Sequence, residues 1–101
     1  MIYIACPYNH EESNLKAFYD VQATLAALGN NSISAMNLAA TEIILPAKFF
    51  QDFSEDLLAR CDMLLVVTMP GWKESAGVKV EIECAKRLGK PIIYFSHSWT
   101  Q

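Results

Sequence analysis

One carboxylate in the sequence stands where a carboxylate is not expected. The spacing of apolar residues over 75–88 predicts a helix, and at about 100° per residue one of its faces is apolar: Val78, Ile82, Ala85 and Leu88. Glu81 lies roughly 60° from Val78, at the edge of this stripe, whereas Glu83 belongs to the opposite, polar face. A carboxylate beside a core is costly unless it is hydrogen-bonded or takes part in chemistry. Glu81 is therefore either a functional group or a marginal side chain that reaches solvent or a backbone amide.

The loop and the cap before this helix hold candidate ligand contacts. Pro70-Gly71-Trp72 predicts a tight turn, whose tryptophan is either a platform for a base or a cover over the end of a sheet. Ser75 is a candidate N-cap, and a capped helix N-terminus also attracts anions. Ser75 and Gly77 are thus candidates to hold a phosphate, although no GxGxxG or P-loop pattern accompanies them.

Strands and helices alternate along the chain. Four runs rich in apolar residues predict strands, the second of them weak enough for a sheet edge: 2–6, 32–35, 63–68 and 92–95. Apolar residues three and four apart predict two further helices, over 13–28 and 46–58. This alternation implies parallel βαβ units with right-handed crossovers. We expect one α/β domain over 1–101, a small Rossmann-like (flavodoxin-like) three-layer sandwich with four parallel strands in the order 2-1-3-4 and helices on both faces.

Ligands of such sheets bind beyond the carboxyl ends of the strands. Five residues follow the ends of predicted strands and are expected to line a substrate pocket: Pro7, His10, Asn37, Gly71 and Trp72. His10 is also open to a simpler interpretation, an exposed loop histidine with no role. His10 and His97 are the only histidines, and metal binding needs more ligands at closer spacing, so we expect no metal and no cofactor.

Composition excludes several classes of partner. The chain has 8 Lys and Arg against 11 Asp and Glu, a net charge of −3, with no run of three basic residues, so polymeric nucleic acid is not an expected ligand. No apolar run approaches the roughly 20 residues needed to span a bilayer, so no membrane association is expected. Three widely spaced cysteines without a CxxC pair predict buried thiols in a reducing cytosol, which favours a cytoplasmic protein.

Two segments carry a family resemblance. They read IYIACPYNH at 2–10 and CDMLLVVTMPGWKESAGVKVEIECAKRLGKP at 61–91, together about two fifths of the chain. Both resemble the nucleoside deoxyribosyltransferase-like superfamily, in particular a short bacterial and phage branch that is similar to deoxynucleoside monophosphate N-glycosidases. In that family the glutamate four residues after the loop glycine is the nucleophile, a position that Glu81 holds four residues after Gly77.

The resemblance implies a mechanism and roles for individual residues. Glu81 would attack the anomeric carbon of a deoxyribose and release the base, leaving a covalent glycosyl intermediate that water (hydrolysis) or a second base (transfer) intercepts. Tyr3 would orient this nucleophile, and its alternative is an aromatic residue packed in the core. Ser75 would contact the 5′-phosphate of a deoxynucleoside monophosphate.

One position departs from the family's pattern. Relatives carry a catalytic aspartate eight residues before the aspartate that opens the third strand, and the residue here is Ser54. Asp52 and Asp56 lie two residues away, about 200° around the helix, so either would serve only if the helix shifted its register. Relatives also complete each site from a neighbouring subunit, so we expect a homodimer or higher homo-oligomer.

Two functional hypotheses remain. The first is an enzyme that hydrolyses or transfers the N-glycosidic bond of a small-molecule nucleotide. The alternative is a non-catalytic nucleotide-binding protein that senses or sequesters its ligand. If Asp52 or Asp56 pointed toward Glu81 the enzyme would be favoured, whereas Ser54 alone in that place would favour the binding protein.

Overall fold

The computed structural model describes residues 1–7, 12–35 and 47–96. Its elements, in chain order, are β1 Ile2–Ala5, α1 Glu12–Ala27, β2 Ser32–Ile33, α2 Ala47–Ala59, β3 Met63–Val67, α3 Ala76–Arg87 and β4 Ile92–Phe95. Each predicted strand and helix is present, with ends that differ from the predicted ends by two residues at most.

The strands form one parallel sheet in the order β2-β1-β3-β4, as the alternation of elements predicts. β1 occupies an inner position, where Tyr3 pairs with Ile33 of β2 on one side and with Leu64 of β3 on the other. The two-residue strand β2 lies at an edge, as its low hydrophobicity predicts. The register is also fixed at the start of β1, where the Asp62 amide donates to the Met1 carbonyl at 2.9 Å and the Met1 ammonium forms an ion pair with the Asp62 carboxylate.

The two faces of the sheet bury two separate cores, because successive side chains of a strand point to opposite faces. On one face, Tyr3 and Ala5 of β1 pack with Leu64 and Val66 of β3 against α2 and α3. On the other face the intervening strand residues pack against α1, in a core formed by Ile4, Cys6, Ala17, Phe18, Val21, Leu65, Val67 and Met69. Helices thus cover both faces, which completes the three-layer arrangement.

Helix α3 is the element that positions the unusual carboxylate. It begins after Ser75, whose Oγ accepts a hydrogen bond from the Val78 amide at 3.3 Å and so satisfies one of the free amides of the first turn. It ends just before Gly89, which adopts a φ of +70°, a left-handed conformation that glycine reaches without strain. These signals fix the two ends of the helix, whereas the apolar stripe decides which face meets the sheet. The buried residues of the helix are Val78, Glu81, Cys84 and Ala85.

Within the described segments, no helix combines the length and the apolar character needed to cross a membrane.

Candidate active site

Glu81 is buried against the sheet, with only 9% of its surface exposed. Its carboxylate accepts a hydrogen bond from the Tyr3 hydroxyl, which favours the charged form. Burial acts in the opposite direction and is the stronger effect, so the pKa of Glu81 rises from 4.5 to about 8. The sequence left open whether this side chain reaches solvent, and the structure places it inside.

Tyr3 organises the surroundings of Glu81. The residue is completely buried, and its hydroxyl oxygen accepts a hydrogen bond from the Ala35 amide at 3.2 Å. The same hydroxyl is hydrogen-bonded to the side chains of Glu81 and Ser54. Burial, followed by the nearby Glu81 charge, raises the pKa of Tyr3 far above its usual range, so the phenol keeps its proton. One oxygen therefore joins β1 to the second residue after β2, to α2 and to α3.

Helix α2 directs Ser54, and neither neighbouring aspartate, toward this centre. Ser54 is 7% exposed and contacts Tyr3, whereas the side chains of Asp52 and Asp56 are exposed. The helix keeps the register that the apolar spacing predicts, so the two aspartates lie on its outer side. The arrangement expected for the binding protein is therefore the one observed at this position.

Among the described residues, no cation balances the buried carboxylate. The two ion pairs found there join the Met1 ammonium to Asp62 and Arg87 to Glu55, so neither involves Glu81. Groups of three or more potential metal ligands are likewise missing from that part of the chain. Glu81 does affect the buried thiol of Cys6. The pKa of Cys6 rises to about 12, chiefly because the thiol is buried and secondarily because of the nearby Glu81 charge.

Cys6 is consequently an unreactive thiol at neutral pH. It packs in the core on the α1 face and donates a hydrogen bond to the Met69 sulfur at 3.4 Å. Cys61 and Cys84 are also buried and unpaired, as the sequence predicts for all three cysteines. None of them has the lowered pKa that a nucleophilic thiol needs.

The loop after β3 forms the predicted turn. Gly71 adopts a φ of +91°, and the Trp72 amide donates to the Met69 carbonyl at 3.1 Å. The half-buried Trp72 ring lies 5.6 Å from the ring of Tyr94 on β4, at an interplanar angle of 53°. Lys73 places its Nζ over the same indole, 5.6 Å from the ring centre. Trp72 thus packs against Tyr94 and the core on the α2 and α3 face of the sheet, with the Lys73 ammonium over its ring.

The N-terminus of α3 is open on the side of Gly77. A Cβ atom built on this glycine would meet only the Ser75 Oγ, at 4.0 Å, so the fold itself does not require a glycine there. Ser75 is half-buried and Gly77 is exposed, which leaves the first turn accessible. The arrangement suits the approach of an anionic group to the helix backbone.

The remaining predicted contacts divide into two groups. Pro7 is fully buried directly after β1 and Cys6. His10 and Asn37, together with His97, lie outside the described residues. Sequence reasoning missed the Ala35 amide, because a backbone group carries no residue-type signal; only its place after β2 could have pointed to it.

Comparison with solved structures identifies the class of fold. A 2-deoxyribosyltransferase from the psychrotolerant bacterium Bacillus psychrosaccharolyticus matches with a TM-score of 0.77 and 22% identity, over 94% of this chain and 71% of that one. A 2-desoxiribosyltransferase from Leishmania mexicana matches with a TM-score of 0.70 and 23% identity, over 94% of this chain and 63% of that one. The chain therefore shares its fold with these two deoxyribosyltransferases, as the family resemblance implies.

A family model covers nearly the whole chain. Residues 1–97 match the family described as a domain of unknown function, DUF1937, and the chain belongs to that family. No curated protein matches the sequence.

Proposed function

We propose that this protein cleaves the N-glycosidic bond of a nucleotide, with Glu81 as the nucleophile. The observation that carries the proposal is the buried Glu81 carboxyl group, which receives a hydrogen bond from Tyr3 and has no cationic partner among the described residues. A structural residue has little reason to keep a costly carboxylate in a core. The fold shared with two proteins named as deoxyribosyltransferases supports the same reaction class.

In the proposed reaction, the ionised Glu81 attacks the anomeric carbon of the sugar as the bond to the base breaks. Tyr3 donates to the carboxylate and fixes its rotamer, which leaves an oxygen of Glu81 directed at the sugar. The resulting glycosyl ester is resolved by water or by a second base. By raising the pKa, burial makes the Glu81 carboxylate a stronger base but lowers the fraction of it that is ionised at neutral pH. Only this ionised fraction can attack the sugar.

The rest of the substrate is assigned to the two ends of the loop before α3. We propose that the 5′-phosphate of a deoxynucleoside monophosphate, or of a related nucleotide, lies at the first turn of α3 near Ser75 and Gly77. The accessible turn and its capped amides support this assignment. Trp72 and Gly71, with Pro7, His10 and Asn37, would line the base and sugar pocket. Every step uses side chains of the chain itself, so the proposal includes no cofactor or metal.

A specific observation favours a second candidate function. Ser54 occupies the place beside Tyr3 where a carboxylic acid would be needed to protonate a departing base. A protein that kept the pocket without such an acid would bind a nucleotide and fail to turn it over.

The homo-oligomer also remains a prediction, which sedimentation velocity of the protein tests.

Base release measured by chromatography tests the proposed function. The protein is incubated with deoxynucleoside monophosphates, nucleosides and ribonucleotides, alongside Glu81→Gln and the matched control Glu83→Gln, whose substituted side chain is exposed. Release by the wild type and Glu83→Gln but not by Glu81→Gln is the expected result. Release that survives in Glu81→Gln would refute the mechanism. No release, together with nucleotide-dependent thermal stabilisation, would establish the binding protein instead.

A further inference from the structure

The described part of the site contains one carboxyl group and no second acid. Cleavage of a glycosidic bond ordinarily uses two carboxyl groups, one to attack the sugar and one to protonate the leaving group. The polar groups that surround the Tyr3 hydroxyl are Glu81, Ser54 and the Ala35 amide. Neither a serine hydroxyl nor an amide donates a proton to a leaving base at neutral pH.

Tyr3 cannot supply the missing proton either. Its O–H group already donates to Glu81, and its oxygen receives the Ala35 amide. Because burial and the neighbouring carboxylate hold the proton on the phenol, Tyr3 acts as a hydrogen-bond donor and not as an acid. The exposed carboxylates of Asp52 and Asp56 are turned away on the outer side of α2.

The electrostatics of the site point in the same direction. Glu81 is buried without an ion-pair partner among the described residues, so when it ionises no positive charge in that part of the chain offsets its own. A ligand that brings a positive charge close to the carboxylate would offset this cost and favour the nucleophilic form. With a neutral ligand bound, the Glu81 carboxyl group would stay protonated for a larger fraction of the time.

From the single carboxyl group in the described part of the site and the serine beside Tyr3, we infer that the preferred substrate is an N-glycoside whose base already carries a positive charge, such as a pyridinium or an N7-alkylated purine nucleotide. This inference rests on the proposed function and specifies its leaving group. Such a base departs as a neutral molecule, so no acid is required.

The reaction balances without an added proton donor. An oxygen of Glu81 forms a bond to the anomeric carbon while the bond from that carbon to the ring nitrogen breaks. The bonding electron pair passes to the nitrogen and neutralises its positive charge. In hydrolysis, water then replaces the Glu81 ester, which yields the free sugar, the ionised carboxylate and one proton released to solvent.

A matched pair of substrates tests the inference. 7-Methylguanosine 5′-monophosphate and guanosine 5′-monophosphate differ in the methyl group and its charge, and the corresponding 2′-deoxyribose pair controls for the sugar. Turnover is measured for the wild type after subtracting the background in Glu81→Gln, which also corrects for spontaneous loss of the charged base. Nicotinamide mononucleotide serves as an independent charged probe.

The expected result is turnover of the charged member at least about 100-fold faster than that of the neutral member, the lower range of what a general acid contributes. A smaller ratio would overturn the inference and leave the proposed function intact. No Glu81-dependent release from any substrate would overturn the proposed function itself.

Substitution of Ser54 provides a second test. Ser54→Asp places an acid beside Tyr3, and Ser54→Asn supplies nearly the same volume without one. We expect Ser54→Asp to accelerate turnover of the neutral substrate and so to lower the ratio of charged-substrate to neutral-substrate turnover by at least about tenfold. Ser54→Asn should leave this ratio unchanged. Equal ratios in two folded variants would contradict the role assigned to position 54. If Ser54→Asp does not fold, the wild-type ratio decides alone.

Discussion

The phenol of Tyr3 on β1 donates a hydrogen bond to the carboxylate of Glu81 on α3. The pair links a central strand and a covering helix by a polar contact beside a core that includes Leu58, Val78 and Cys84. Each residue changes the acidity of the other: Tyr3 moderates the rise in the Glu81 pKa, and Glu81 helps to keep Tyr3 protonated. The contact therefore links the stability of the fold to pH.

Replacing Glu81 with glutamine is expected to stabilise the protein increasingly as pH rises. The folded-state pKa of about 8 lies above the ordinary value of 4.5, so the folded state favours the protonated side chain. The wild type therefore loses stability between these two pH values and not below them. The advantage of Glu81→Gln should grow by at most about 1.4 kcal/mol for each pH unit crossed and level off above pH 8. Urea unfolding from pH 4 to pH 9 measures it.

Glu83→Gln is the control for this experiment, because the Glu83 side chain is exposed on the same helix. Its difference from the wild type should lack the rise seen for Glu81→Gln. A Glu81→Gln advantage that stayed constant across the range, or fell with pH, would contradict the burial of an ionisable carboxyl group.

Tyr3→Phe is expected to raise the pKa of Glu81 further. The substitution removes the hydrogen bond that favours the ionised carboxylate and deprives the Ala35 amide of its acceptor. Loss of these buried contacts should cost about 1–3 kcal/mol of unfolding free energy. Carbon-13 NMR of the glutamate carboxyl groups follows the titration directly. Tyr94→Phe, at a side chain that is about half exposed, should leave the titration of Glu81 unchanged. A titration that moves to lower pH in Tyr3→Phe would show that the phenol does not stabilise the carboxylate.

Two substitutions at Ser75 separate its role as a cap from its proposed contact with phosphate. Ser75→Ala removes the acceptor for the Val78 amide and should cost about 1 kcal/mol of stability. Ser75→Asp retains a capping acceptor but repels a phosphate. We expect it to remain stable while losing at least about tenfold in affinity for nucleoside monophosphates relative to nucleosides, measured by calorimetry. An equal loss of affinity for nucleoside monophosphates and for nucleosides would show that Ser75 does not contact the phosphate.

The two glycines of the same region should respond oppositely to alanine. Gly71 adopts a φ of +91°, where an L-residue is strained, so Gly71→Ala should lower the unfolding free energy by about 1 kcal/mol. Gly77 lies in the helix with open space around it, so Gly77→Ala should leave stability unchanged or raise it by up to about 1 kcal/mol. Nucleotide affinity should nevertheless fall in Gly77→Ala. Unimpaired binding by this variant would show that no ligand approaches that turn.

Periodicity alone predicts much of the geometry that matters here. The helical spacing around Val78 places Glu81 beside the buried stripe, and the structure confirms that the sheet covers it. On α2 the helical spacing separates Ser54 from Asp52 and Asp56 by about 200°, and the structure buries Ser54 and exposes the two aspartates. The prediction for Glu81 succeeds because side-chain direction in a helix follows from position once one buried residue is known.

Other features of the site lie beyond sequence reasoning. The depth of burial of Glu81, and with it the direction of its pKa shift, depends on how closely α3 approaches β1. The Ala35 amide joins the site because parallel pairing sets Ile33 beside Tyr3. This strand register cannot be inferred from the residue types. The same holds for Trp72, whose sequence motif predicts a turn but not the contact of its ring with Tyr94.

The convergence of distant groups on the Tyr3 oxygen also bears on how this site comes into being. Its partners stand at positions 35, 54 and 81, so none of the contacts is local in sequence. Closing such long loops delays folding relative to a helical bundle, in which most contacts are local. No short fragment of the chain contains the whole constellation, so it can assemble only when the strands have paired and both helices have docked.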